Sequence, residues 1–145
     1  MGKSELTNEQ ISKIKQFQKN EITEYHIYKK LSKSLKNPEN ATLFSQIADD
    51  EKRHYDFWSQ YSGIEVKPNK WKIFKFYWIS KILGVTFGIK LLENGEQGAQ
   101  DEYKKATQFI PEAKEIVEDE DAHEEALVNM IKEKKLDYVG SIVLG

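Results

Sequence analysis

Apolar residues recur at helical spacing along nearly the whole chain and divide it into four segments. Ile11, Ile14, Phe17, Tyr25, Tyr28, Leu31 and Leu35 fall on one face of a helix. With Thr7 or Asn8 available as a cap, they predict a first helix from about Asn8 to Leu35, ended by Asn37-Pro38. Pro38 suits the first turn of a second helix, because its missing N–H is not needed there. Leu43, Phe44, Ile47, Tyr55 and Trp58 carry that helix to about Tyr61, and Gly63 closes it. Ile64 to Asn69 contains Pro68 and reads as an extended connection able to cross a bundle. A third helix then runs from near Lys70 to about Phe109, interrupted only by isolated glycines. Pro111 stops it and opens a fourth, Glu112 to about Lys135, with Ile116, Ala122, Ala126, Leu127 and Met130 as its apolar positions. The expectation is an all-α four-helix bundle.

A chain of 145 residues can bury one core but not two, so residues 1–136 read as one domain. Residues 137–145 turn apolar through Val139, Ile142, Val143 and Leu144, and are expected to be either a docking tail or the start of a membrane segment. Trp71 to Leu92 is as rich in aromatic and aliphatic residues as a membrane span. Lys72, Lys75, Lys81 and Lys90 interrupt it, which argues against a free-standing span. A basic, aromatic helix of this kind could instead rest on a membrane surface or on a second subunit of a homodimer. The polar start, Met1 to Gln10, has no apolar signal region, so the cytoplasmic side is the expected compartment.

Charge is unevenly distributed although the net value is only −2. Residues 66–90 hold six lysines and no acid; residues 91–125 hold twelve acids and three lysines. The acidic block is where a cation would be drawn, and nothing in the overall balance calls for nucleic acid. With no cysteine in the chain, disulfides, thiolate zinc sites and iron–sulfur centres are excluded within it. Any metal must be held by oxygen and imidazole.

Two motifs supply both. Glu51-Lys-Arg-His54 in the second helix and Glu120-Asp-Ala-His123 in the fourth each place a carboxylate and an imidazole three residues apart, on one helix face. In the first helix Glu21 lies in line with the apolar stripe and Tyr28 follows seven residues later; in the third, Glu96 is followed seven later by Tyr103. Each half of the chain therefore reads Glu, Tyr, then Glu-x-x-His. With 17 glutamates in 145 positions, a Glu three before a given His arises by chance about one time in eight, so one such pair would mean little. Two of three histidines showing it, each with a matched upstream Glu, is a repeated ligand scheme. His26 has Thr23 three before it and is read as an ordinary boundary histidine. Glu24 and Glu93 each lie three from a favoured ligand and could swing into the centre. Tyr28 and Tyr103 are read as core residues whose hydroxyls would be satisfied by ligand carboxylates. Carboxylate-rich sites with one imidazole per metal suit Fe²⁺ and Mn²⁺.

At these residues the chain resembles the rubrerythrin-like branch of the ferritin-like superfamily. The likeness rests on Asn20-Glu21, Asp50-Glu51-Lys52-Arg53-His54, Leu92-Glu93-Asn94-Gly95-Glu96 and Glu120-Asp121-Ala122-His123. More narrowly, the chain is similar to the soluble N-terminal domain of membrane-bound ferritin or erythrin proteins of the vacuolar iron transporter type, and Asp137 to Gly145 looks like the entry to their membrane part. The resemblance implies two iron ions, with manganese as the substitute, held by Glu21, Glu51, His54, Glu96, Glu120 and His123, with Glu93 as a mobile extra ligand. It implies that Glu51 and Glu120 bridge the ions. It also implies a ferroxidase-type oxidoreductase using oxygen or peroxide and serving iron handling in a membrane transporter. The alternatives are a rubrerythrin-like peroxidase, weakened by the absence of a cysteine-rich relay domain, and a non-catalytic iron sensor.

Overall fold

The computed structural model of the chain describes residues 6–144, and for residues 95–97 and 134–144 their backbone alone. Among the described residues there are five α-helices: α1 (Asn8–Ser34), α2 (Pro38–Ser62), α3 (Lys70–Leu83), α4 (Val85–Ala106) and α5 (Lys114–Leu144), with a 3-10 turn at Pro111–Ala113 before the last. No strand occurs among the described residues. Around the bundle α1 packs on α2, α2 on α5, α5 on α4 and α4 on α1, which closes a ring of four; α3 lies outside it against α1 and α4.

The helix ends follow from local chemistry. Thr7 caps α1 through its hydroxyl, which accepts from Gln10 N–H, while the Gln10 side chain accepts from Thr7 N–H. Asn37 accepts from the N–H groups of Glu39 and Asn40 at the start of α2. Gly63 ends α2 at φ 73°, a left-handed conformation that only glycine adopts at low cost. The connection to α3 is tied down along its length. Buried Gln18 donates to the Ile64 carbonyl, Val66 N–H donates to the Tyr55 hydroxyl, and Asn69 N–H donates to Thr23 Oγ1.

The predicted third helix is two helices. Gly84 adopts φ 97° and ψ 150°, a backbone conformation closed to residues with a Cβ, and the chain turns a corner there. Past the corner Gly88 presses against Ser80, whose Oγ lies 2.1 Å from where a Cβ on Gly88 would stand. An isolated glycine in a helical pattern therefore acted as a breaker. Ala122, expected in the core, is exposed. The side chains of the apolar tail, 137–145, lie outside the described residues. Among those described, no helix is long and apolar enough to cross a membrane.

The core is split in two. At one end Tyr28, Leu31, Phe44, Ile89 and Leu127 pack together, and at the other Ile14, Phe17, Trp58, Tyr103 and Ile116. Between these clusters α1 presents Glu21 and Glu24, α2 presents Glu51 and His54, and α5 presents Glu120 and His123. The bundle thus encloses a polar layer between two apolar plugs.

Candidate metal centre

Glu21, Glu51, His54 and Glu120 each offer one ligand atom, and these four atoms lie within 4.8 Å of one another. Three helices bring them together. On α2 the three-residue step from Glu51 to His54 puts both side chains on the face turned toward α1 and α5. His54 Nδ1 lies 3.4 Å from Glu21, 3.7 Å from Glu51 and 3.2 Å from Glu120. Glu51 Oε1 is also 3.2 Å from Nδ1 of His123, so this one carboxylate faces both imidazoles. The two rings lie 6.2 Å apart, inclined at 27°.

The far nitrogen of each ring is held by the opposite helix. His54 Nε2 lies 2.8 Å from Asp119 on α5, and His123 Nε2 lies 2.8 Å from Asp50 on α2. Arg53 ties the two aspartates together, at 2.6 Å from Asp50 and 3.3 Å from Asp119. Asp50 and Asp119 were not among the residues predicted to serve the centre, yet the sequence carries their signal: each stands immediately before the glutamate of its Glu-x-x-His pair. A residue one step back on a helix points about 100° away from its neighbour, so each Asp reaches across to the other helix's imidazole. Carboxylates in this position fix the ring orientation and leave the inner nitrogen available as a ligand.

The remaining predicted residues divide. Glu93 accepts the Tyr28 hydroxyl at 2.9 Å, so it stands beside the centre, engaged by a tyrosine, rather than within the four-residue cluster. The Glu96 side chain lies outside the described residues. Tyr103 is buried beside Phe17 and Trp58, and its hydroxyl has no hydrogen-bond partner among the described residues. Glu24 is buried, and its charge is felt by Glu51, Tyr28 and Tyr103. His26 lies half-buried at the surface beside Lys30 and Lys70, away from the centre.

The electrostatics show what the cluster lacks. Burial, then the charges of Glu120, Glu21 and Glu24, push the Glu51 carboxyl well above its ordinary pKa. Burial works to lower the pKa of His54, but the carboxylates of Glu120, Glu21 and Asp119 outweigh it and raise it to about 11. Within the four-residue cluster three carboxylates thus crowd one imidazole.

The sequence model of the family described as Rubrerythrin matches residues 13–135. The chain belongs to the rubrerythrin family. No curated protein and no solved structure matches it. For a rubrerythrin-family domain the decisive question is whether these residues fit a metal, and their unsatisfied atoms answer it. Both carboxylate oxygens of Glu21 and of Glu51, one of Glu120, and Nδ1 of both His54 and His123 are buried without a hydrogen-bond partner among the described residues. Leaving one buried polar atom unpaired costs about 1–3 kcal/mol, and a charged one more. Here the unpaired atoms belong to facing residues, and all are acceptors or ligand nitrogens. A cation satisfies such a set, whereas a hydrophobic core would not tolerate it. Family and cluster together point to a centre for a metal such as iron.

Proposed function

We propose that this chain is a di-iron carboxylate protein that binds Fe²⁺ and oxidises it. The observation that carries the reading is the convergence of unpartnered ligand atoms from Glu21, Glu51, His54 and Glu120 within 4.8 Å. These four would hold one ion. Glu51 and Glu120, with His123 and Glu96, would hold the second, and Glu93 would join when released from Tyr28. A pair of ferrous ions supplies one electron each to oxygen or peroxide.

What the protein contributes is placement. Asp119 and Asp50 keep Nδ1 of each imidazole turned inward. The two apolar plugs keep bulk water from the carboxylates, so their attraction for a cation is little screened. Tyr28 holds a proton against Glu93 and can keep that carboxylate aside or let it in. The likeness of residues 137–145 to the membrane entry of transporter-linked proteins supports a role as the domain that feeds or regulates a membrane iron transporter on its cytoplasmic side; we propose a homodimer as the working unit.

The test is turnover. Chain loaded with Fe²⁺ under anaerobic conditions should form Fe³⁺ on exposure to oxygen faster than iron in buffer, and a Glu51→Ala, Glu120→Ala variant should not. Consumption of peroxide that depends on an added reductant, with no gain over buffer in oxygen, would make the chain a peroxidase instead. Iron binding without either reaction would leave a sensor.

A further inference from the structure

A helix that packs on a bundle normally has one apolar face; α3 has two. At about 100° per residue, Ile73, Phe76 and Ser80 form one face, and all three are buried against the bundle. Trp71, Phe74, Trp78 and Ile82 form the opposite face at steps of three and four, and all are exposed, Trp71 by 70% and Ile82 by 75%. Trp71 stacks on Phe74 at 5.7 Å and Phe74 meets Trp78 at 6.2 Å, so the aromatic rings form a continuous outward stripe. Beyond it, at the Gly84 corner, Leu83 and Phe87 are also exposed. The same wheel places Lys70 and Lys81 along one border of the stripe and Lys75 along the other, all three exposed. No acid occurs from 66 to 90 to neutralise them.

We propose that this face of α3 docks on an anionic phospholipid surface, with the aromatic stripe at the headgroup level and the bordering lysines on lipid phosphates and carboxylates. Tryptophan beside lysine is the pairing that an interface between water and hydrocarbon favours. A second copy of the chain fits the charge worse. A twofold-related partner would present the same stripe and bring the same lysines against one another. An anionic bilayer instead complements both the stripe and its border. The proposal is independent of iron chemistry, since no residue of the stripe belongs to the carboxylate cluster.

Co-sedimentation of the full chain with vesicles tests it. Vesicles of phosphatidylcholine with about one-third phosphatidylserine should bind the chain at least about tenfold better than phosphatidylcholine alone, and the preference should fade in high salt. Binding should shift tryptophan emission to the blue, because Trp71 and Trp78 are exposed while Trp58 is buried. Trp71→Ser, Phe74→Ser, Trp78→Ser should abolish binding with helicity unchanged by circular dichroism. Lys75→Glu, Lys81→Glu should abolish the preference for anionic lipid while keeping the fold, and serves if the triple variant misfolds. Equal binding to both vesicle types, or no binding to either, would overturn the proposal. So would lipid-independent dimerisation that the triple variant abolishes.

Discussion

The two halves of the bundle repeat one ligand scheme but do not bury it equally. In the α1–α2 half the side chains of Glu21, Glu51 and His54 are 0%, 1% and 3% exposed. In the α4–α5 half Glu120 is 15% and His123 12% exposed. The difference lies in how each hairpin is made. α1 and α2 pack extensively against each other, joined by a short turn capped by Asn37. α4 begins only after the Gly84 corner and reaches α5 through a 3-10 turn, so its hairpin is looser. A repeated motif thus yields unequal halves of a centre, one more enclosed around His54, the other more open around His123.

The largest effect expected from breaking this comparison is at Glu51, the carboxylate that faces both imidazoles. Under the proposed di-iron function, Glu51→Ala should lower bound Fe²⁺ from about two per chain to near zero as measured by anaerobic titration. If the halves are independent, one ion will survive. Next in size is the contrast between the histidines. His54→Ala should weaken iron binding by more than His123→Ala, the latter leaving about one ion per chain bound with near wild-type affinity. Equal losses would mean that the difference in burial has no bearing on affinity.

The crossed aspartates give a subtler test. Asp119→Asn should weaken the His54 half and Asp50→Asn the His123 half, each by about 10–100-fold in affinity, because the amide can stabilise the wrong tautomer of the ring it faces. Isothermal titration of the two variants should therefore show different steps altered. Loss of the same step in both would refute the crossed arrangement.

The smallest expected effect is on the stability of metal-free chain as pH changes. The folded-state pKa of Glu51 stands well above 4.5. That of His54 stands at about 11 against an ordinary 6.5. Both groups keep a proton in the folded chain that the unfolded chain has lost, so their contribution is full below the unfolded value and is lost as pH rises through the folded one. Metal-free chain should accordingly be more stable at about pH 6 than at about pH 9, whereas metal binding, which needs deprotonated ligands, should tighten over the same range. Urea titrations with and without metal would show the two opposite slopes, and a shared slope would contradict the assignment.

How far the sequence could be read depended on the range of the interaction involved. The ends of α1 and α2 and the start of α3 are local matters of Thr7, Asn37, Gly63 and Asn69, and periodicity with the Thr7 cap, the Asn37-Pro38 break, Gly63 and the extended connection to Asn69 was enough to place them, although capping by Asn37 and Asn69 was not foreseen. Helix spacing made the shared face of Glu51 and His54 legible, while the meeting of that face with Glu21 and Glu120 was expected only from the repeated scheme and the family resemblance. Gly84 was not legible as a corner, since a lone glycine inside an apolar run breaks a helix only when tertiary packing, here Gly88 against Ser80, favours the bend. Asp50 and Asp119 escaped because the repeated Asp before each Glu-x-x-His glutamate marks their positions but not their reach to the other helix's imidazole, which depends on how α5 sits against α2. Glu24 was legible as a neighbour of the centre, but its burial is decided by neighbouring helices and its place outside the four-residue cluster could not be read from α1 alone.

The most direct test of a two-metal centre is anaerobic Fe²⁺ titration of the chain beside its Glu51→Ala, Glu120→Ala variant. The proposed di-iron function predicts saturation near two ions per chain for the wild type and none for the variant. A wild-type chain that takes up no iron, or a variant that still takes up two, would contradict it.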